Sequence, residues 1–245
     1  MNIEVLTDSR SVAERAASII ADYAREAITS CGSFIMAVSG GHTPWIMLRR
    51  LAAAQIPWSA VHVAQVDERV APAGDPDRNL THLRETLLDH SPLPAGHIHE
   101  MPVESPDLEF AAAQYAATLA RIAGSPPFLD LVHLGLGPDG HTASLVPGDP
   151  VLDIEGADVA LTGAYQGRRR MTLTYSIINR ARRVLWVVTG SEKATALNRL
   201  LHGDRSIPAG RIRAEQALVL ADQSAAEQLI SSGHAQNGLP NAPLR

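Results

Sequence analysis

The sequence predicts an α/β protein built on a largely parallel, doubly wound sheet with helices on both faces. Three observations predict it. Short apolar runs of strand length alternate with stretches of helical periodicity along nearly the whole chain. No composition break marks a linker and no repeat is present, so the 245 residues are expected to form one domain, an ordinary length for this class. Hydrophobic residues make up 45% of the chain and charged residues 19%, a globular balance that can fill a large core.

Taken in order, NIEVL (2–6) reads as a first strand. Residues 11–30 then carry apolar side chains at helical spacing behind Ser11, which suits an N-cap. SFIMAVS (33–39) is a short apolar run suited to a buried strand. A helix restarts in 43–54, with Thr43 as N-cap and Pro44 at the first helical position. VHVAQVD (61–67) is a strand, 79–88 a helix, HIHEM (97–101) a short extended piece, and 107–123 a long helix. FLDLVHLGL (128–136) is another buried strand, and a further helix is expected after Gly140. Residues 157–165 and 169–179 read as a strand pair, 182–190 as a strand, 191–203 as a helix, and 216–230 as a last strand running into a last helix. The domain is expected to span 1–232. The Gly-, Pro- and Asn-rich stretch 233–245 is expected to be a mobile tail.

Net charge is −5, which gives no chain-wide basic field for nucleic acid or an anionic membrane, so neither is expected as a partner. An anionic ligand would need a local cluster of cations. Cys31 is the only cysteine, so no intrachain disulfide forms, which fits a reducing, cytoplasmic compartment. The start lacks a basic n-region, and no run of 18 apolar residues occurs, so neither a signal peptide nor a transmembrane helix is expected.

In such sheets ligands bind outside the carboxyl ends of the strands, and three strand ends carry chemistry. After the run ending at Ser39, Gly40 and Gly41 allow a tight turn before the helix that Thr43 and Pro44 open. Converging N–H groups and the helix dipole make this a candidate phosphate or carboxylate site. His42 either touches the ligand or caps the turn. No Lys-Ser/Thr follows, so it is not a Walker A loop. The second strand ends in Asp67, Glu68 and Arg69, followed at a distance by Asn79, which is either an N-cap or a polar ligand.

The third end, LGLGPDGHTASL (134–145), matches G-x-G-x-x-G, yet Asp139 would repel pyrophosphate and no acidic strand end follows at the right distance. The glycines are better read as freedom for a sharp turn that presents Asp139 and His141. A carboxylate two residues from an imidazole orients it as a catalytic base. Two basic features add to this: Arg168, Arg169 and Arg170 just before a strand, and Lys193 in a first helical turn, where the dipole disfavours a cation unless a ligand uses it. His62 and His133 alternate with apolar residues and read as locally satisfied. His97 and His99 have no Cys or third ligand nearby, so no metal is expected.

In this order, SGGHTP (39–44), DERVAP (67–72) with Asn79, LGLGPDGHTASLVPG (134–148), RMTLT (170–174) and GSEK (190–193) resemble the 6-phosphogluconolactonase family along nearly the whole chain. The wider superfamily includes glucosamine-6-phosphate deaminases and ribose-5-phosphate isomerases. The resemblance implies a Rossmann-like fold and hydrolysis of 6-phospho-D-glucono-1,5-lactone to 6-phosphogluconate, a step of the oxidative pentose phosphate pathway. It implies no metal or organic cofactor, and a small sugar-phosphate lactone as ligand. A monomer or weak homo-oligomer is expected. The family's motif residues fall on Asp67, Arg69, Asp139, His141, Arg170 and Lys193. On this reading His141 is the base, supported by Asp139. Arg69 is the candidate for the carbonyl oxygen, while Ser39, Gly40, Gly41, His42, Thr43, Arg170 and Lys193 hold the phosphate.

Position 42 is His where Ser is frequent, Arg78 stands where Ser is common, and Val146 replaces a frequent Phe. YQGRRR (165–170) lacks a Pro-Pro pair, which leaves both Arg168 and Arg170 as candidates. Two rivals remain. A deaminase or isomerase needs further acid–base groups, and no carboxylate follows His141 before Asp149. A sugar-phosphate-sensing regulator needs a DNA-binding segment, and no basic helix-turn-helix precedes the first strand.

Overall fold

The computed structural model of the chain describes residues 1–231, so the tail expected at 233–245 lies outside it. In chain order the strands are β1 (Asn2–Leu6), β2 (Phe34–Val38), β3 (Val61–Gln65), β4 (Asp67–Arg69), β5 (Ile98–His99), β6 (Leu131–Leu134), β7 (Val159–Leu161), β8 (Arg170–Leu173), β9 (Val184–Val188) and β10 (Ala217–Asp222). The helices are α1 (Ser9–Cys31), α2 (His42–Ala52), α3 (Asn79–Thr86), α4 (Leu108–Ala123), α5 (Tyr175–Ile178), α6 (Ala194–Leu201) and α7 (Glu227–Ser231). Seven strands form one parallel sheet in the order β1-β10-β9-β6-β2-β3-β5. The other three, β4-β8-β7, form a small antiparallel sheet, which contains the strand pair expected from 157–179.

Alternation along the central strands explains why helices cover both faces. Phe34, Met36 and Val38 pack with α1 and α2 residues such as Ile20, Leu48 and Leu51. Ile35 and Ala37 point the other way, into a cluster with Tyr115 and Leu119 of α4 and with Trp186 and Val188 of β9. Strands buried on both faces read as continuous apolar runs, which is how β2, β6 and β9 look in the sequence.

Three local expectations are corrected. The N-cap of α1 is Asp8, not Ser11: its carboxylate accepts the Ser11 N–H at 2.7 Å, so Ser11 falls inside the first turn. The N-cap of α2 is Gly41, not Thr43. The Gly41 backbone (φ 131°) lets the helix start two residues earlier, and the Thr43 hydroxyl pairs with that of Thr189 at 2.7 Å. No helix follows Gly140. Thr142 and Leu145 instead form an isolated antiparallel bridge, a tight turn incompatible with helical backbone.

The reading of His62 as locally satisfied holds, but its partners are other histidines. Its Nδ1 lies 3.1 Å from His99 Nε2, and its ring stacks on His97 with centroids 3.9 Å apart. His133 is only half satisfied. Its Nδ1 accepts the Ser39 N–H at 3.3 Å, while its buried Nε2 has no partner among the described residues. Burial pushes the His133 ring down to about 3, and burial with the neighbouring His62 charge pushes His99 down to about 4.

Both rings stay neutral in the folded protein while the unfolded chain ionises them below about 6.5. Their contribution is therefore complete above pH ~6.5 and is lost as pH falls toward the folded values, by up to about 1.4 kcal/mol per pH unit for each ring. Tm is expected to fall between pH 6.5 and 5, and His133→Asn should flatten that slope. Thermal melts across the interval check it, and a level or rising Tm in the parent protein would contradict it.

Candidate active site

The sheet order creates a crevice. β2 and β6 are neighbours, but the chain continues from β2 toward β3 and β5 on one side, and from β6 toward β9 and β10 on the other. Such a reversal leaves an opening at the carboxyl ends. A cavity of about 550 Å³ lies there, lined by the turn from Ser39 to Pro44, by Asp67 and Arg69, by Gly135–Gly137 with His141, and by Arg170, Gly190 and Lys193. The sequence-predicted strand ends therefore converge on one site. Among the described residues no group of three or more His, Cys, Asp or Glu is placed to hold a metal ion.

The loop after β6 is closed by its own backbone. Gly137 N–H donates to the His141 carbonyl at 2.8 Å and Gly140 N–H to the Gly137 carbonyl at 2.9 Å. These amides are not free to cradle a pyrophosphate, and with no helix behind them the dinucleotide reading fails. A Cβ on Gly137 would sit 2.0 Å from His141 Nδ1, so the imidazole lies directly over that glycine. Asp139 Oδ1 accepts both the backbone N–H of His141 at 3.1 Å and its ring Nδ1 at 2.6 Å. A carboxylate only accepts, so Nδ1 carries the proton and Nε2 is the free lone pair. Burial raises the Asp139 carboxyl, but the hydrogen bonds from His141 outweigh this and hold it below the usual carboxylate range.

The three charges Asp67, Glu68 and Arg69 separate by the period of β4. Glu68 turns into the interior and is wholly buried. It accepts the N–H groups of Asn79 and Leu80, each at 2.8 Å, and so serves as the cap that α3 otherwise lacks. Asp67 and Arg69 face the other way. Arg69 pairs in register with Arg170, and Asp67 with Thr172, so these four side chains share one face of the small sheet.

Two guanidinium groups directly opposite each other are unfavourable without an anion between or beside them. Burial and then the Arg69 charge both lower the Arg170 pKa. The Asp67 carboxylate is already engaged by the Ser144 hydroxyl at 2.6 Å and by the Asn79 amide. Asn79 is neither N-cap nor a free ligand: it holds Asp67 with its amide and Arg69 with its carbonyl oxygen. A Cβ on Gly40 would lie 2.1 Å from that oxygen, which ties the Gly-Gly turn to the arginine.

The structure also separates the two candidate arginines. Arg168 is ion-paired to Asp75 and Asp77, at 3.1 and 3.0 Å, and lines a smaller neighbouring chamber. Arg170 lines the main cavity, and no carboxylate is within ion-pair distance of it among the described residues. Ser39 is buried and donates its hydroxyl to the His133 carbonyl at 3.1 Å, tying β2 to β6 rather than offering a donor to the cavity. Lys193 is the N-cap residue of α6, with its ammonium 4.0 Å from Glu192 and a side chain reaching the cavity.

Sequence reasoning missed Ser144, Thr189 and Tyr165. Serine and threonine carry no periodic signal, and Tyr165 stands in a stretch read only as part of a strand.

A carboxylate-paired histidine and three cations meet at the switch point of a Rossmann-like α/β fold, an arrangement whose charge suits a small anionic molecule. The chain belongs to the family of glucosamine-6-phosphate isomerases/6-phosphogluconolactonase, whose model matches residues 7–220. It is 37% identical over 235 residues to a 6-phosphogluconolactonase of Synechocystis, covering 93% of this chain and 98% of that one. It is 35% identical over 244 residues to the Mycobacterium tuberculosis 6-phosphogluconolactonase, covering 94% and 99%. Among solved structures, the Thermotoga maritima 6-phosphogluconolactonase superposes with a TM-score of 0.80 at 26% identity over 90% of this chain and 98% of that one. A monomeric glucosamine-6-phosphate deaminase superposes with a TM-score of 0.82 at 19% identity over 93% and 99%, which shows the shared fold.

Proposed function

We infer that this chain hydrolyses 6-phospho-D-glucono-1,5-lactone to 6-phosphogluconate. The observation that carries the reading is the His141–Asp139 pair at 2.6 Å on the wall of a cavity that also holds Arg69, Arg170 and Lys193. A δ-lactone is an activated ester, so modest machinery suffices. His141 Nε2 takes a proton from water as it attacks C1, and the imidazolium then returns it to the ring oxygen as the C1–O bond breaks. Arg69 faces the developing charge on the carbonyl oxygen. The phosphate is held by Lys193, Arg170 and the first N–H groups of α2, at His42 and Thr43, which have no acceptor within the helix. Ser39, Gly40 and Asn79 shape the turn and the arginine. Holding a remote phosphate is how binding energy becomes orientation at the reacting carbon.

The test is acid release from freshly prepared 6-phosphogluconolactone, measured above its spontaneous hydrolysis. No acceleration would overturn the reading, and ammonia release from glucosamine 6-phosphate would favour the other branch of the family. Lys193→Ala and Arg170→Ala are each expected to raise KM roughly 10- to 100-fold, the worth of a charge-assisted hydrogen bond. Unphosphorylated gluconolactone should be correspondingly poor, and equal kcat/KM for the two lactones would remove the phosphate from the account. Among the described residues no helix is long and apolar enough to cross a membrane. On this reading the enzyme acts as a monomer or weak homo-oligomer, which sedimentation at working concentration would test.

A further inference from the structure

The segment between β7 and β8 is a hairpin whose tip lines the smaller chamber beside the cavity, next to Arg170, which lines both. Tyr165 and Arg168 pair across Gln166 and Gly167, with Tyr165 N–H donating to the Arg168 carbonyl at 3.0 Å and the return bond at 3.3 Å. Gln166 (φ 52°) and Gly167 (φ 80°) are both left-handed, the backbone of a two-residue turn that matches strand twist. Left-handed backbone is unfavourable for glutamine, so the tip is held in place by its surroundings. The hold is visible in Arg168, whose guanidinium bridges Asp75 and Asp77 on the facing loop.

Tyr165 is the residue this tip delivers. Its hydroxyl donates to Asp139 Oδ2 at 3.4 Å, the carboxylate oxygen that His141 does not use. Its ring meets the His141 ring edge-on, with centroids 5.5 Å apart at 63°. The Arg170 guanidinium lies over the same ring, 4.9 Å from its centroid. One side chain therefore touches the carboxylate, the imidazole and the buried arginine. Burial and the Asp139 charge raise the Tyr165 phenol, which keeps it a donor.

We propose that Tyr165 is a positioning residue that couples the Asp139–His141 pair to Arg170, an assignment that rests on the lactonase reading above. The hydroxyl fixes the carboxylate plane, so that Oδ1 is presented to Nδ1 and Nε2 is aimed at the attacking water. The ring face offsets the repulsion between Arg170 and Arg69 by a cation–π contact. The other charges near this group are Asp67 and Arg69 on β4, Asp77 across the tip and Lys193 across the cavity. None of these touches both Asp139 and Arg170 among the described residues.

Two variants separate the hydroxyl from the ring. Tyr165→Phe keeps the ring and should lower kcat about 2- to 10-fold with KM unchanged, the worth of one hydrogen bond. It should also move the acid limb of kcat/KM to higher pH, because a carboxylate that has lost a donor holds the imidazolium proton more tightly. Tyr165→Ala should add a KM increase of about 2- to 5-fold by releasing Arg170. A ring with a merely structural role would lower the amount of folded enzyme without moving the limb or splitting kcat from KM. The same coupling is read without turnover by following the His141 ring resonances against pH: the midpoint rises in Tyr165→Phe. Identical titrations in the two proteins overturn the proposal, whether or not the lactone is hydrolysed. A parent enzyme that fails to accelerate hydrolysis overturns the lactonase reading alone, and the shifted midpoint would still support the coupling.

Discussion

His141→Asn is expected to lower kcat by roughly 10²–10⁴, the range for losing a general acid–base group. Asparagine fits the space over Gly137, and its amide N–H can still donate to Asp139, but it has no lone pair with which to take a proton from water. Neutral Nε2 is required in the first step, so kcat/KM of the parent enzyme, corrected for the spontaneous reaction, should fall on the acid side with the slope of a single proton. Binding of 6-phosphogluconate, followed by calorimetry, should survive in His141→Asn, because the phosphate contacts lie at Lys193, Arg170 and the start of α2. Asp139→Asn should cost less: it weakens the 2.6 Å contact that fixes the tautomer but leaves the base in place. A His141→Asn enzyme with kcat near that of the parent would transfer the role of base to Asp67 or Asp139. Asp67 begins at a disadvantage, since both of its oxygens already accept hydrogen bonds from Ser144 and Asn79.

The strand ends were legible because doubly buried strands leave continuous apolar runs, and the chemistry follows each run directly. Ser39, Asp67, Gly135, His141 and Lys193 all stand at or just past such ends, and all of them line the cavity. The choice between Arg168 and Arg170 was not legible, because it depends on cross-strand register. Only the pairing of Arg69 with Arg170 shows which arginine shares the face of Asp67. The role of Asn79 was hidden for the same reason, since its partners lie about ten residues upstream on another element. The helix expected after Gly140 fails because the loop closes on itself through Gly137 and His141, a consequence of seating the imidazole. Glu68 was one of three adjacent charges with no mark to distinguish it. Its burial follows from the two-residue period of a three-residue strand that is too short to reveal that period in the sequence.

That burial supports the largest stability effect expected here. Glu68 is 0% and Arg78 2% exposed, with Arg78 Nε 3.2 Å from Glu68 Oε2, angled outside hydrogen-bond geometry. The contact is thus mainly one of charge. The carboxylate also accepts from Gln65 Nε2 and from the backbones of Arg69, Asn79 and Leu80, each at 2.8 Å. Arg78 in turn donates to the Ala71 carbonyl at 3.0 Å and to Glu104 at 2.9 Å. Removing one member of a buried pair leaves an uncompensated charge in a poorly polarisable interior, and truncating arginine adds a cavity. Arg78→Ala should therefore destabilise the fold by about 3–5 kcal/mol, a fall in Tm of roughly 6–20 °C for a chain of this size. The damage should reach the site, because α3 begins at Asn79, the residue that steadies both Arg69 and Asp67. KM for the lactone should rise in whatever fraction remains folded. A Glu68→Gln/Arg78→Met double variant removes both charges and should be less destabilised than the two single changes summed, which distinguishes electrostatic pairing from lost volume. Urea unfolding of the parent and these variants measures this. An Arg78→Ala protein within about 1 kcal/mol of the parent would mean that the helix dipole and the four donors suffice for Glu68, and that Arg78 is packing alone.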